Sequence, residues 1–393
     1  MNEFAATPQE QPCATATMRR KMTIGLPASE WAAERRFPLT PEGCEMLIGR
    51  GFRIIMQQGA PADINYTDSR YARRGVEIAT RQEAWGADIV ISAAPASRAD
   101  IGCMRRGAML LTLMRPEIQD PDALRLMLDR HIVSIALDLV KDSHGCRPFA
   151  DILAEIDGRA ATTLASAILA DPLRGKGILL GGVAGIVPCE ILIVGSGLAA
   201  QAAARSAIGL GAMVRMYDND VYALRSAMTT IGPALITSSL HPHTLGNALR
   251  SADVVIVTPT ETPFVIDRDE VASMKKGVLC FDLTSASGKA FPSLTAVDLA
   301  LASALNKSSL AEGRMCFVNA GCGVARTAAM ALSNTLVKLL ADITECDGVQ
   351  NAIRLLPGIQ CATLTFFGRA VNPQIATRAA VRCVDLSIFL SLS

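Results

Sequence analysis

Gly195, Gly197 and Asp218 are spaced as a phosphate-and-ribose site requires. The run Gly195-Ser196-Gly197-Leu198-Ala199-Ala200 follows directly on EILIV at 190–194, an apolar, β-branched stretch of strand length. A small-residue helical pattern then runs from 199 to 210 and closes at Gly211; a second short strand, 213–217, ends on Asp218. Strand, glycine turn, helix, strand and acid in this order frame a dinucleotide site. Gly195 turns the chain off the strand, and Gly197 has no side chain to keep a pyrophosphate from the backbone. Ala200 keeps the helix close to the sheet, while Ser196 and Leu198 complete the turn. The helix N-terminus offers unpaired N–H groups and positive partial charge to phosphate. Asp218, about 20 positions beyond Gly197, suits ribose hydroxyls and repels a 2′-phosphate, so the expected cofactor is NAD rather than NADP. Arg215 and Arg225 lie close enough in sequence to soften that exclusion. GxGxxA alone also occurs in other tight strand–helix turns; the strand, helix and acid in register carry the assignment.

The chain has 393 residues, half of them hydrophobic and 19% charged, with a net charge of +1: enough for two globular domains. No basic tail or basic-aromatic patch marks a nucleic-acid partner. Eleven cysteines are scattered without a CxxC or a Cys/His metal spacing, which predicts reduced thiols, a cytoplasmic protein and no metal. Residues 1–20 read as a polar, mobile tail without the apolar core of a secretory signal. The longest apolar run is broken by glycines, Pro188 and Glu190, so no membrane span is expected.

These residues need a scaffold. Strands are expected over 22–26, 52–56, 72–78, 88–91, 108–113 and 131–139, then over 252–257, 277–283 and 315–319. Thr40-Pro41-Glu42 opens a helix that runs to Gly51, and further helices fall at 122–130, 149–170 and 327–340. Beyond 350 the chain reads as a loop and a closing helix. Such alternation predicts an α/β protein of two Rossmann-like, doubly wound parallel-sheet domains, with helix 149–170 bridging them.

Several segments resemble one family. MTIGLPASEWAAERRFPLTPEG, LAEIDGRAA, GKGILLGGVAGIVPCEILIVGSG, VASMKKGVLCFDL and VNAGCGVARTAAMALSNTLVKLL are similar to the alanine dehydrogenase and nicotinamide nucleotide transhydrogenase alpha-subunit family, from about residue 22 to 385. The resemblance implies an interdomain cleft, a discontinuous substrate domain of 1–148 and 326–393, an NAD-binding domain of 149–325, and a homo-oligomer. It implies NAD(H)-dependent oxidation of an amino acid, or transhydrogenase-like hydride transfer.

It also allows a residue-by-residue test. Arg36 matches the carboxylate-binding arginine before LTP; the plainer alternative is a surface or cap arginine beside Arg35. The catalytic lysine is missing, with Ser92, Ala93 and Ala94 in its place. Arg115 stands where the catalytic histidine belongs, and Ala286 where the aspartate beside the nicotinamide belongs. An arginine stays protonated near neutral pH, so Arg115 binds anions but is a poor base. Asp138 matches an acidic position and is placed to lie between the two arginines, or else is a solvated strand-end acid. Asn319 matches a cleft asparagine or caps a loop. Asp157 is a helix-surface or interdomain acid, and His144, in KDSHGCRP, is the histidine placed to face the cleft. The loop after 252–257 shortens to TPTETPF. The expected function is therefore an NAD(H)-dependent oxidoreductase whose small-molecule carboxylate substrate is an amino acid or 2-oxo acid other than alanine. The pair of arginines favours a diacid. The alternative is an NAD(H)-binding protein or transhydrogenase-like subunit without the acid–base step.

Overall fold

A computed structural model describes residues 22–284, 288–301, 313–346 and 349–391. Two sheets share the chain. In the first, β1 (Thr23–Leu26), β2 (Arg53–Gln57), β3 (Glu77–Ala79), β4 (Ile89–Ile91), β5 (Met109–Thr112) and β6 (Val133–Ala136) pair in parallel in the order 6-5-4-1-2-3. The second holds β7 (Glu190–Val194), β8 (Met213–Tyr217), β9 (Leu235–Ser238), β10 (Val254–Val257), β11 (Leu279–Asp282), β12 (Ala296–Asp298) and β13 (Met315–Val318). Its order is 12-13-11-10-7-8-9, again parallel throughout. Strand order reverses between β1 and β4 and between β7 and β10, and such switch points open a crevice at the carboxyl ends of the strands.

The C-terminal segment departs from the expected loop and helix. β14 (Thr363–Phe366) adds antiparallel to β6, and β15 (Arg369–Ala370) adds antiparallel to β14, so the first sheet has an antiparallel edge. Phe367 and Gly368 both take positive φ, 46° and 75°, which is what a two-residue hairpin turn needs. Two expected strands are shorter than the sequence suggested. Residues 72–78 open as the end of helix Asp68–Ala72, and Gly75 (φ 89°) turns the chain into β3. After β6 the backbone tightens into a 3-10 turn, Leu137–Leu139, that carries Asp138.

Helix Pro148–Ala170 joins the two layers. Its Phe149 and Leu153 pack with Ile91, Leu111 and Leu336 of the first core, and its Ala160, Ala161 and Ala165 pack with Ile191 and Ala203 of the second. It lies so close to helix Leu198–Gly209 that a Cβ on Gly158 would meet the Ala199 carbonyl oxygen at 2.1 Å. Thr162 Oγ1 donates to the Ala203 carbonyl at 3.1 Å across the same seam. The alanine-rich pattern of 199–207 is thus the signature of helix-on-helix contact as well as of packing on the sheet. The chain returns at residue 324: Ala320 belongs to the second core, while Ala329, Leu332 and Leu336 of helix Ala325–Glu345 belong to the first. Among the described residues no helix is long and apolar enough to cross a membrane, and no group of His, Cys, Asp and Glu is placed to hold a metal.

Candidate active site

The glycine turn at the carboxyl end of β7 has the geometry its sequence predicts. Gly195 has φ 99°, and a Cβ there would meet Thr258 Oγ1 at 2.1 Å. Thr258 itself donates to the Val194 carbonyl at 2.9 Å, so the shortened loop after β10 packs directly on the turn. Gly197 caps helix Leu198–Gly209, and a Cβ on it would point into open space, room that a phosphate can use. Ala200 is fully buried, whereas Leu198 is half exposed at the helix start. Ser196 Oγ donates to Asp218 Oδ2 at 2.6 Å, and the Asp220 N–H donates to Oδ1 at 3.0 Å. Asp218 is therefore held as an acceptor beside the turn. Arg215 is turned away from it, with Nε 2.8 Å from Glu190 Oε1 on the neighbouring strand, so it does not offset the acid.

A cleft of about 350 Å³ lies between the layers and reaches Ala199 of the dinucleotide helix. Arg36, Arg115, Asp138, Asp157, Asn319 and Cys322 line it. Arg36 is buried and grips Glu34 with both ends of its fork, Nε to Oε1 at 2.7 Å and Nη2 to Oε2 at 2.6 Å. Arg115 Nη2 reaches the same Oε2 at 2.5 Å, and its guanidinium lies over the Trp31 ring, 5.0 Å from the centroid. Arg115 holds a left-handed backbone, φ 31° and ψ 64°, where β5 ends. Burial pushes the Glu34 carboxyl up, but Arg36 and then Arg115 more than reverse this and hold it below the usual range. Burial opposes the charge on Arg36, yet Glu34 overcomes it and raises that group further.

The carboxylate between the arginines is thus Glu34, and not Asp138 as expected. Asp138 instead accepts the Met114 N–H at 2.8 Å; burial raises its carboxyl, with that N–H pulling the other way. Of its two expected places, Asp157 takes the interdomain one and not the helix surface. It lines the cleft, accepts the Gly321 N–H at 3.0 Å, and is raised by burial despite Arg36 and that N–H. Cys322 is likewise pushed up by burial, to about 11, with Sγ 3.8 Å from Glu34 Oε1. Asn319 has a left-handed backbone, φ 57° and ψ 37°, and its Nδ2 donates to Asp298 Oδ2 at 2.8 Å. His144 is exposed, with its N–H donating to Asp142 in an outer loop, and does not line the cleft. Among the described residues, no lysine or histidine lines the cleft. Ser92 is buried at the end of β4, with Oγ donating to the Ala94 carbonyl at 2.9 Å. Ala286 lies outside the described residues.

Known proteins match this chain along most of its length. The alanine dehydrogenase/PNT N-terminal domain matches residues 25–156, and the alanine dehydrogenase/PNT C-terminal domain matches residues 161–373. The chain belongs to this family. It is 27% identical over 368 residues to alanine dehydrogenase of Mycobacterium tuberculosis, covering 92% of this chain and 97% of that one. With alanine dehydrogenase of Mycolicibacterium smegmatis it is 30% identical over 278 residues, 69% of this chain and 74% of the relative. A solved L-alanine dehydrogenase superposes with a TM-score of 0.79 at 21% identity, covering 91% of this chain and 99% of that one. The transhydrogenase from Sinorhizobium meliloti gives 0.71 at 20% identity, with 89% and 99% covered. The family binds NAD(H), and the glycine turn, the open space at Gly197 and the Ser196–Asp218 pair fit that cofactor.

The sequence reading singled out neither Trp31 and Cys322 nor Glu34, the acid that joins the two arginines. Its signal was present: an acid two positions before Arg36, in AERRFP, the spacing at which an extended chain places both side chains on one side.

Proposed function

We propose that this chain is an NAD(H)-dependent oxidoreductase whose substrate is an amino acid or 2-oxo acid other than alanine. The observation that carries the reading is the Arg36–Glu34–Arg115 cluster on the cleft wall. Two guanidinium groups share one carboxylate, which leaves one positive charge for a substrate carboxylate. That charge favours a monocarboxylate over the diacid expected from two unpaired arginines. Bound NAD(H) supplies the hydride acceptor or donor. Arg115, less buried than Arg36, presents its remaining N–H groups to the substrate. Asp157 and Asp138, both raised by burial, are the cleft groups suited to hold and release a proton near the reacting carbon. Asn319, fixed by Asp298, shapes the opposite wall.

In this reading residues 1–148 and 326–393 form the substrate domain, and 149–325 the NAD domain. Among the described residues the cleft has no lysine or histidine, which also supports a second reading, an NAD(H)-binding or transhydrogenase-like subunit that performs no proton transfer. The unpaired cysteines support a cytoplasmic setting. An exposed apolar loop, including Leu173 (83% exposed) and Val187 (85%), supports self-association through that surface. NADH oxidation across 2-oxo acids with ammonia tests the reading. Turnover that falls in Asp157→Asn favours it, and NADH binding without turnover of any of them favours the second.

A further inference from the structure

A second space of about 320 Å³ adjoins the cleft, and Trp31 and Ile118 line both. Its walls are Trp85, Ala94, Pro95 and Ala96, together with Ser92, which also borders the narrow gap beside Arg36 and Glu34. Small side chains at the end of β4 leave this space unfilled. Charged groups at its edge already have partners. Arg81 Nη2 lies 2.5 Å from Asp100 Oδ1 and 3.1 Å from Glu30 Oε1. Asp100 Oδ2 also takes the Ser97 N–H and hydroxyl, at 3.0 and 2.8 Å. Asp120 Oδ1 takes the Asp122 N–H at 3.0 Å. The Ser92 hydroxyl is spent on the Ala94 carbonyl. An occupant would therefore meet indole, proline and alanine surface and few unpaired polar groups, the lining that selects an apolar ligand.

We propose that this space is a specificity subsite for the bulky apolar side chain of a 2-amino or 2-oxo acid, branched-aliphatic or aromatic. Its carboxylate would be held by Arg115 beyond the Trp31–Ile118 sill. The inference rests on the carboxylate-binding reading given above. It also accounts for Trp31, which presents one ring to Arg115 and to both spaces. A methyl side chain would leave the subsite empty. Each added methylene that enters it contributes affinity, so an isobutyl group should bind on the order of tenfold or more tighter than methyl.

The test is calorimetric titration of the full chain, with NAD present, using 4-methyl-2-oxopentanoate, phenylpyruvate and pyruvate. The proposal expects both larger acids to bind on the order of tenfold or more tighter than pyruvate. It also expects Ala96→Leu, which fills the subsite, to abolish that preference while leaving pyruvate and NAD affinity unchanged. Both tryptophans of the chain line the subsite, so wild-type emission provides a measurement independent of the variant's folding. 4-Methyl-2-oxopentanoate should change it more than pyruvate does, because Trp31 also faces the Arg115 site whereas Trp85 borders the subsite and not the cleft. Equal affinity for the three acids, no binding of any, or no emission change with the branched acid overturns the subsite. NADH oxidation is scored separately: tight, Trp-reported binding without turnover keeps the subsite and removes the oxidoreductase reading.

Discussion

Arg115 and Glu34 are joined by a 2.5 Å contact, Nη2 to Oε2, across 81 positions of sequence. The contact ties the end of β5 to the loop before the first helix, and it brings Arg115 to the carboxylate that Arg36 already holds. The charge offered to a substrate is set by this three-residue cluster, not by either arginine alone.

Removing the shared carboxylate should expose that balance. Glu34 has no exposed side-chain surface, so Glu34→Gln leaves two guanidinium groups facing each other in a buried place. Breaking a buried pair costs about 3–5 kcal/mol. Thermal unfolding of the variant should begin at a lower temperature, and oxalate, a small dianion, should restore more of the loss than it adds to the wild type. Because the Glu34 carboxyl is lowered on folding, its stabilisation is present above the ordinary glutamate range and disappears as pH falls through its folded value. Unchanged unfolding in Glu34→Gln would show that the cluster is not under electrostatic tension.

Asp157 has the opposite sign. Its carboxyl is raised on folding, so it stabilises below the ordinary aspartate value and that contribution is lost as pH rises through the raised one. Asp157→Asn keeps an oxygen to accept the Gly321 N–H and needs no charge. The variant should be at least as stable as the wild type at pH ~8, with its relative advantage shrinking toward pH ~4, near the ordinary aspartate value. Turnover on a real substrate should fall about 10²–10⁴-fold. Denaturation curves at the two pH values check the first part, and a variant that is less stable at high pH would contradict it.

How much of this was legible beforehand depends on how local each feature is. The dinucleotide turn was, because Gly195, Gly197 and Asp218 act through backbone conformation and spacing within one strand–helix–strand unit. The hairpin at 363–370 was not, because Phe367 takes a positive φ that its side chain does not advertise, and β14 finds its partner β6 far away in sequence. Asp157 reads from the sequence as either a helix-surface or an interdomain acid. In the cleft it accepts the N–H of Gly321, which follows β13 and lies 164 positions further along the chain. Glu34 was hidden by its neighbours, since one acid among ERR reads as a solvated charge until Arg115 arrives from β5.

Cofactor selectivity should follow Asp218. Its carboxylate, braced by Ser196 and the Asp220 N–H, has acceptor capacity for a ribose hydroxyl. Losing one charge-assisted contact costs about 1.5–3 kcal/mol, so Asp218→Ala should weaken NAD(H) about ten- to hundred-fold in calorimetry and narrow the gap to NADP(H). Gly197→Val, which fills the open space at the helix start, should abolish binding of both. Equal wild-type affinity for the two cofactors would refute the preference.

Self-association should run through the apolar loop that carries Leu173 and Val187. Sedimentation of the wild type should show a dimer or larger. Placing a charge there, Val187→Asp, should shift the distribution toward monomer without loss of NAD(H) binding. A wild-type monomer at micromolar concentration would rule out this surface as an interface.

The central claim is NAD(H)-dependent turnover of a carboxylate substrate other than alanine. It is tested most directly by steady-state kinetics, run in parallel with alanine plus NAD and with larger 2-oxo acids plus ammonia and NADH. The account predicts kcat/KM for at least one larger acid on the order of tenfold or more above that for alanine, because added apolar groups are bound beside the cleft where a methyl group is not, and a loss of that activity in Arg36→Lys with NADH affinity intact. Alanine oxidised at the rate of the best alternative, with Arg36→Lys unaffected, would contradict it.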